Sequence, residues 1–230
     1  MFDEKKPSRV SKTEKGSDVT QKPTNTSYSP FPRARKPPSQ GAVRIVVTGL
    51  NGVGKSALTV RFLTKRFIGE YGNEEETKYR HRMKIDGDKV LMEILDIGSK
   101  NVFNEDILQW ADGIILVYSI ASRDGYELLF QNIERLDAAR ASKAVPLAYV
   151  IVGNKADLLH QRKVTTQEGQ TLADKIGCSF VELSASETPE EVDNVFQELC
   201  REIKMYKYRS RSSIFGRMFG AAREKKTFTL

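Results

Sequence analysis

This 230-residue sequence has few cysteines, no long apolar run and no apolar stretch near residue 1. Only Cys178 and Cys200 are present, so the composition excludes a disulfide-stapled fold and a four-cysteine zinc site. No apolar stretch approaches the ~20 residues that a membrane-spanning helix needs, and no basic-then-apolar leader opens the sequence. These absences predict a protein of a reducing compartment, the cytosol or the nucleus.

The net charge of +7 is unevenly distributed along the chain. Residues 1–41 carry 9 Lys and Arg against 4 Asp and Glu, residues 42–200 carry 19 against 24, and residues 201–230 carry 9 against 2. The three segments therefore have net charges of +5, −5 and +7, which sum to +7. A mildly acidic body between basic tails argues against a folded nucleic-acid-binding surface and favours tails that meet an anionic partner.

Three segments are predicted from the distribution of apolar residues. Residues 1–41 are rich in Lys, Ser, Thr and Pro and show no apolar period, which is typical of disorder. Residues 42–205 alternate strand and helix patterns, so we expect them to form the folded domain. Residues 206–230 are predicted to form a basic amphipathic tail.

The folded segment has the pattern of an α/β protein. Strands are indicated at 43–47, 77–85, 89–96, 114–118, 147–152 and 179–183, and helices at 57–63, 127–139, 168–176 and 190–203. Alternating strands and helices imply a mostly parallel sheet with helices on both faces. Asp86-Gly87 is a hairpin signal that makes the second and third strands antiparallel. We expect three layers, six strands with one antiparallel hairpin strand, and about five helices.

A glycine-rich loop follows the first predicted strand. The run Gly49-Leu50-Asn51-Gly52-Val53-Gly54-Lys55-Ser56 fits the pattern G-x-x-x-x-G-K-[ST] and leads through Ala57 into a predicted helix. Such glycines let backbone N–H groups surround phosphates, and a helix N-terminus favours negative charge. We assign Gly49 and residues 51–57 to phosphate binding, Lys55 also to catalysis and the Ser56 hydroxyl to Mg²⁺.

A second motif indicates which nucleotide base the site binds. Asn154-Lys155-Ala156-Asp157 follows the predicted strand 147–152, at the sheet edge where ligands of such folds bind. The Asp157 carboxylate can accept hydrogen bonds from N1–H and the exocyclic amine of guanine, a donor pair that adenine lacks. The Lys155 stem can cover a flat base, and Ser184-Ala185-Ser186 follows the next strand end. The combination predicts GTP or GDP as the ligand, with Mg²⁺.

With these three dispersed motifs in order, residues 42–205 resemble a small GTPase of the Ras superfamily, which implies a three-layer P-loop NTPase fold. The segments 61–68 and 109–111 are similar to the subfamily of the Ras-related, estrogen-regulated growth inhibitor. The resemblance implies that Phe67 packs edge-on against guanine, although a core position at a helix end would also suit it. It further implies that Asp96 holds Mg²⁺ through water and that Tyr71 covers the phosphates.

Three positions depart from the pattern of that superfamily. Where relatives have a threonine that binds Mg²⁺, an ungapped alignment places Glu74, with Thr77 as an alternative after a register shift. Where relatives have a water-orienting glutamine, it places Lys100, whose ammonium offers no acceptor to water. Asn51 replaces a glycine that leaves room for an arginine finger. These departures predict slow GTP hydrolysis and a weakened nucleotide-state switch.

Two interpretations of function stay open at this point. The first is a monomeric signalling GTPase of weak activity, whose effector proteins contact residues 70–80 and 97–110. The second is a nucleotide-binding pseudo-GTPase that serves as an interaction scaffold. A P-loop kinase or ATPase is disfavoured because the residues at 154–157 suit guanine.

The C-terminal segment 204–226 combines positive charge with an apolar stripe. Its cations are Lys204, Lys207, Arg209, Arg211, Arg217, Arg223, Lys225 and Lys226, and its apolar residues are Ile214, Phe215, Met218 and Phe219. Such segments are typical of contacts with anionic membrane lipid or calmodulin, although a solvated tail that continues the last helix fits as well. Since no prenylation box is present, we expect a cytoplasmic protein that reaches the plasma membrane peripherally through this basic tail.

Overall fold

The computed structural model describes residues 41–68, 76–98 and 103–220, and side chains among them up to residue 210. The strands are β1 (Ala42–Thr48), β2 (Glu76–Ile85), β3 (Asp88–Ile97), β4 (Gly113–Ser119), β5 (Ala148–Asn154) and β6 (Ser179–Glu182). The helices are α1 (Lys55–Thr64), α2 (Glu105–Trp110), α3 (Arg123–Gln131), α4 (Ile133–Ala141), α5 (Thr166–Ile176) and α6 (Pro189–Gly220). Within these ranges, no helix is both long and apolar enough to cross a membrane.

The strands form one six-stranded sheet in the order β2-β3-β1-β4-β5-β6. Neighbouring strands are parallel except β2 and β3, which form an antiparallel hairpin around Asp86 and Gly87. β4 and β5 are buried along their whole length, as expected of central parallel strands covered by helices on both faces. The α/β fold predicted from the sequence, with its one antiparallel strand, is confirmed.

The main apolar cluster lies between the sheet and helices α1 and α6. In it the rings of Phe62 and Phe196 stack 4.0 Å apart, and Cys200 is buried in the same cluster. Cys178 is half-buried, and burial raises the pKa of each thiol to about 12. Both cysteines therefore stay protonated at neutral pH and serve as packing residues.

One predicted helix is two helices in the structure. The helix expected over 127–139 is split into α3 and α4 at Asn132. The Asn132 side-chain amide donates to the Leu128 carbonyl at 2.8 Å, and such a local bond competes with the helical hydrogen-bond ladder. The described residues thus contain six α-helices where about five were expected.

Helix α6 continues without a break across the boundary predicted between the domain and the tail. Two of the cations assigned to the tail contact the domain itself: Lys204 pairs with Asp88 at 3.2 Å, and Lys207 pairs with Asp112 at 2.8 Å. The apolar stripe and the cations from Arg211 onward lie outside the described side chains. The predicted N-terminal segment lies outside the described residues except for its last position.

A lysine holds the end of α2 against the loop that precedes β5. The Lys143 ammonium donates to the carbonyl oxygens of Leu108 (3.2 Å), Gln109 (2.9 Å) and Ala111. These carbonyls belong to a helix end, where no further turn supplies N–H donors. Burial lowers the pKa of Lys143 to about 8, from a usual value of 10.5.

This shift makes the stability of the fold depend on pH above neutrality. The unfolded chain keeps the Lys143 proton up to pH 10.5, whereas the folded chain releases it near pH 8. Since the unfolded state then binds more protons, this residue's contribution to the free energy of unfolding rises between these pH values. We expect Lys143→Met to remove that rise in urea unfolding and Lys163→Met, at an exposed position, to retain it. Equal slopes in Lys143→Met and the unchanged protein would contradict the assignment.

Candidate nucleotide-binding site

The predicted phosphate loop connects β1 to α1 at the carboxyl edge of the sheet. Two of its glycines have no room for a side chain unless a neighbouring group shifts. A Cβ on Gly49 would lie 2.1 Å from the Val117 carbonyl oxygen, and a Cβ on Gly54 would lie 2.2 Å from the Asn154 side-chain nitrogen. Both have positive φ, +149° and +96°, a region that residues with a side chain rarely adopt. The loop therefore packs closely against β4 and β5, as a backbone cradle for phosphates requires.

Lys55 begins α1 and places a positive charge beneath this loop. Its side chain is buried, and Nζ donates to the Leu50 carbonyl at 2.8 Å. Burial lowers the pKa of Lys55, while the nearby Asp96 carboxylate acts in the opposite direction. A cation that loses hydration in this way gains from an anion that approaches it, so the position suits a phosphate group.

Ser56 and Asp96 lie together beside the loop. Asp96, one residue before the end of β3, is in register with Val47 of β1. Burial raises the pKa of Asp96, and the hydrogen bond from Ser56 and the charge of Lys55 oppose that shift. A hydroxyl and a buried carboxylate are oxygen ligands of the kind that Mg²⁺ prefers, with phosphate oxygens and water completing its shell. The donor set thus fits the predicted metal.

The remaining predicted site residues are a metal ligand, the residue at the water-orienting position and the tyrosine expected over the phosphates. Glu74 and Lys100 fall outside the described residues, as does Tyr71. Thr77, the alternative to Glu74, is the cross-strand partner of Asp96, and directly paired residues share one face of a sheet. Within the described part of the chain, no group of three or more His, Cys, Asp or Glu side chains could hold a metal ion by itself.

Asn154 ties the phosphate loop to the predicted base-binding loops. Its buried side chain donates from Nδ2 to the Val53 carbonyl at 2.8 Å and accepts at Oδ1 from the Ala185 N–H at 3.1 Å. Both ends of the amide are thus engaged by protein groups from two different loops. Asn154 and Ala185, which the sequence placed among the nucleotide-binding residues, are in position to hold the loops in register.

Asp157 lies at the far end of this arrangement, held by the serines that follow β6. The Ser184 hydroxyl donates to Asp157 Oδ1 at 2.5 Å, and the Ser186 hydroxyl lies 2.7 Å from that of Ser184. One hydroxyl leaves free lone pairs on the carboxylate, which can accept from two further donors. Lys155 adopts a left-handed conformation, with φ +64°, in the turn that connects Asn154 to Asp157.

Phe67 follows α1 and is 45% exposed. This exposure does not fit the alternative that the residue is part of the core at a helix end. An exposed aromatic ring just beyond α1 is free to pack against a flat ligand. Ala57, by contrast, is buried on α1.

Two groups that shape the site had no signal in the sequence. The Leu50 carbonyl accepts the Lys55 hydrogen bond, and the Val117 carbonyl limits the space at Gly49. Every residue carries a carbonyl, so only the folded backbone shows which carbonyls contact the residues of the site. The buried, strand-ending position of Asn154 was the one available signal for its bridging role.

Comparisons with known proteins place the folded segment among characterised relatives. The model of the Ras family matches residues 44–205. The Ras-related and estrogen-regulated growth inhibitors of Bos taurus and Homo sapiens are each 44% identical over 164 residues, which cover 70% of this chain and 81% of the relative. The Ras-like protein family member 11B of Danio rerio is 38% identical over 175 residues, covering 72% of this chain and 71% of the relative.

Proposed function

Because the chain belongs to the Ras family of small GTPases, we propose that it is a guanine-nucleotide-dependent signalling regulator that hydrolyses GTP slowly. Membership of the family supports binding of GTP and GDP and, in general, GTP hydrolysis. The name of the bovine and human relatives, a growth inhibitor, fits a regulatory role. The observation that carries the proposal is the Asn154 bridge, which joins the phosphate loop to the loop after β6, where the Ser184 hydroxyl holds the Asp157 carboxylate.

Each group at this edge of the sheet has its own task. The loop N–H groups and the Lys55 ammonium bind the phosphates, and Asp157 accepts from the two guanine donors. Ser56 and Asp96 would hold Mg²⁺, which when bound neutralises charge on the phosphate oxygens. Phe67 is exposed and available to cover the base from the side of α1.

The proposal that GTP hydrolysis is slow rests on Lys100, at the position that would orient the attacking water, and on Asn51. An amide can accept from water and donate to phosphate at once, whereas the ammonium of Lys100 can only donate. It therefore offsets phosphate charge without orienting the nucleophile. Asn51 is exposed on the phosphate loop, and we expect a side chain at this position to obstruct an arginine supplied by another protein.

A single-turnover assay with the full chain, Mg²⁺ and labelled GTP tests this proposal. We expect slow cleavage by the unchanged protein and a rate higher by about tenfold or more in Lys100→Gln, which introduces an orienting amide. Lys100→Met is the matched control, since it removes the charge without supplying an acceptor. Nucleotide affinity measured in parallel separates an effect on binding from an effect on the chemical step.

Three outcomes decide between the alternatives. Fast cleavage by the unchanged protein, or equal gains in Lys100→Gln and Lys100→Met, would contradict the proposed cause of slowness. GTP that is bound tightly and left intact by all three proteins would favour the interaction scaffold. If the full chain binds no guanine nucleotide, the whole proposal is wrong.

A further inference from the structure

One side chain of α1 reaches the loop that follows β6. Arg61 lies in the last turn of α1 and donates from Nη2 to the Glu187 carbonyl at 2.8 Å, across 126 positions of sequence. We call residues 184–187 the base loop, since its first three residues are among those assigned to nucleotide binding. The contact therefore ties the helix that begins at the phosphate loop to the base side of the same site.

The contact at Glu187 is close to the group that holds Asp157. The Glu187 N–H donates to the Ser184 carbonyl at 3.2 Å, and the Ser184 hydroxyl donates to Asp157 Oδ1 at 2.5 Å. The middle of the base loop is fixed separately, by the side chain of Asn154. Arg61 thus supplies a second external contact, at the end of the loop that Asn154 does not reach.

The helix end that carries Arg61 is itself fixed against α6. The Lys65 N–H donates to the Arg61 carbonyl at 2.8 Å, and the Lys65 ammonium pairs with Asp193 of α6. The Phe62 ring stacks on Phe196, also of α6, with centroids 4.0 Å apart. Because this end of α1 is held on α6, the base loop has to break its bond to Arg61 in order to move away from α1.

The rest of the guanidinium indicates that stability is not what this arginine contributes. Its Nε is buried and has no hydrogen-bond partner within the described part of the chain. A buried donor without a partner is destabilising, and an apolar side chain of similar length would avoid that loss. Glu187 is exposed, so water can bind its carbonyl once the guanidinium is gone. The fold can therefore do without the charge, whereas the base loop would lose its fixed end.

We propose that Arg61 is a positioning residue that slows the release of guanine nucleotide, by fixing the end of the base loop against α1. The inference rests on the proposed function and adds how the site retains its ligand. Local opening of a loop governs escape of a ligand that the loop covers. Loss of the Arg61 contact should therefore raise the dissociation rate, with little effect on the association rate, as is usual for changes within one binding site.

The test measures release of fluorescent GDP from the full chain, with Mg²⁺ and an excess of unlabelled GDP. Arg61→Met keeps the apolar stem and removes the donor, and we expect it to raise the dissociation rate by about three- to tenfold, as for the loss of one hydrogen bond at a partly exposed site. Arg61→Lys keeps a donor on a shorter stem and should give an intermediate rate. Arg66→Met is the matched control, since it removes the same charge at an exposed position just beyond α1, and it should release GDP as the unchanged protein does.

Two further measurements separate positioning from a merely structural role. Urea unfolding without nucleotide should show no loss of stability in Arg61→Met, because ligand linkage is then absent. Hydrogen exchange of the GDP-bound protein should be faster at the Glu187 amide in that variant. In combination with Ser184→Ala, the increase in dissociation rate should fall short of the product of the two single effects, since both changes free the same loop. If Arg61→Met does not fold, Arg61→Lys takes its place in each comparison.

Several results would overturn the inference. Equal dissociation rates in Arg61→Met and the unchanged protein would contradict it while leaving the proposed function intact. An equal acceleration in Arg66→Met would mean that only the loss of charge matters. Faster release together with lower stability in the absence of nucleotide would make Arg61 a structural residue. A full chain that binds no GDP would contradict the proposed function and this inference together.

Discussion

Replacing Asp157 by asparagine is expected to lower the affinity for GDP by roughly 10²- to 10⁴-fold. The carboxylate accepts from two guanine donors, and each hydrogen bond to a charged group contributes about 1.5–3 kcal/mol. An asparagine can present only one acceptor atom, and its NH₂ would face a donor of the base. Xanthine carries a carbonyl where guanine carries its amine, so Asp157→Asn should bind xanthosine diphosphate better than GDP.

Ser184→Ala is the matched control for this change. It removes the hydroxyl that donates to Asp157 Oδ1 at 2.5 Å but leaves both carboxylate oxygens in place. We expect a loss of GDP affinity of about tenfold at most, without a change in base preference. Equilibrium titration of the full chain with fluorescent GDP and xanthosine diphosphate measures both effects. GDP affinity that is unchanged in Asp157→Asn would show that another group reads the base.

The strands, their mostly parallel sheet and the phosphate loop could be predicted because their signals are local. β-Branched apolar runs bounded by glycines define strands such as β1 and β4, and the loop pattern requires glycine wherever φ is positive. The hairpin of β2 and β3 was likewise marked by Asp86 and Gly87. Alternation of strands with helices then leaves few topologies, since parallel crossovers are right-handed.

The features that escaped prediction depend on partners far apart in the chain. Lys143 contacts Leu108 and Ala111 at the end of α2, which lie 35 and 32 positions earlier in the sequence. Lys204 and Lys207 were assigned to an outward-facing tail on charge alone, whereas their carboxylate partners Asp88 and Asp112 lie on the hairpin and before β4. A cation in a basic run has no local feature that distinguishes an internal pair from a solvated one.

The bridge at Asn154 shows the same limit within the site. Its motif predicted a place near the base, and the structure does put it at that edge of the sheet. The side-chain amide of Asn154 bonds to both Val53 and Ala185. These bonds depend on two loops from distant parts of the sequence, which meet only in the folded protein. The motif predicted where Asn154 lies, and only the folded structure shows which groups it bridges.

The steric limit at Gly54 gives a prediction that isolates this bridge. Asn154→Ala should reduce the free energy of unfolding by about 2–6 kcal/mol, because it leaves the Val53 carbonyl and the Ala185 N–H without their partner. In Gly54→Ala, the new Cβ would lie 2.2 Å from Asn154 Nδ2 and displace it, in addition to a strain of about 1–2 kcal/mol from the positive φ. The two changes disrupt one contact, so the double variant should lose clearly less than their sum.

Gly52 provides the matched control in the same loop. Its φ is +76°, yet a Cβ there would meet nothing within 4 Å, so Gly52→Ala adds backbone strain without a clash. Its effect should sum with that of Asn154→Ala within about 0.5 kcal/mol. Urea unfolding of the five variants at one saturating GDP concentration, with GDP affinity measured alongside, gives both cycles. Full additivity of Gly54→Ala with Asn154→Ala would mean that the alanine acts through the backbone alone, and that the Asn154 bridge does not set the space available to the phosphate loop.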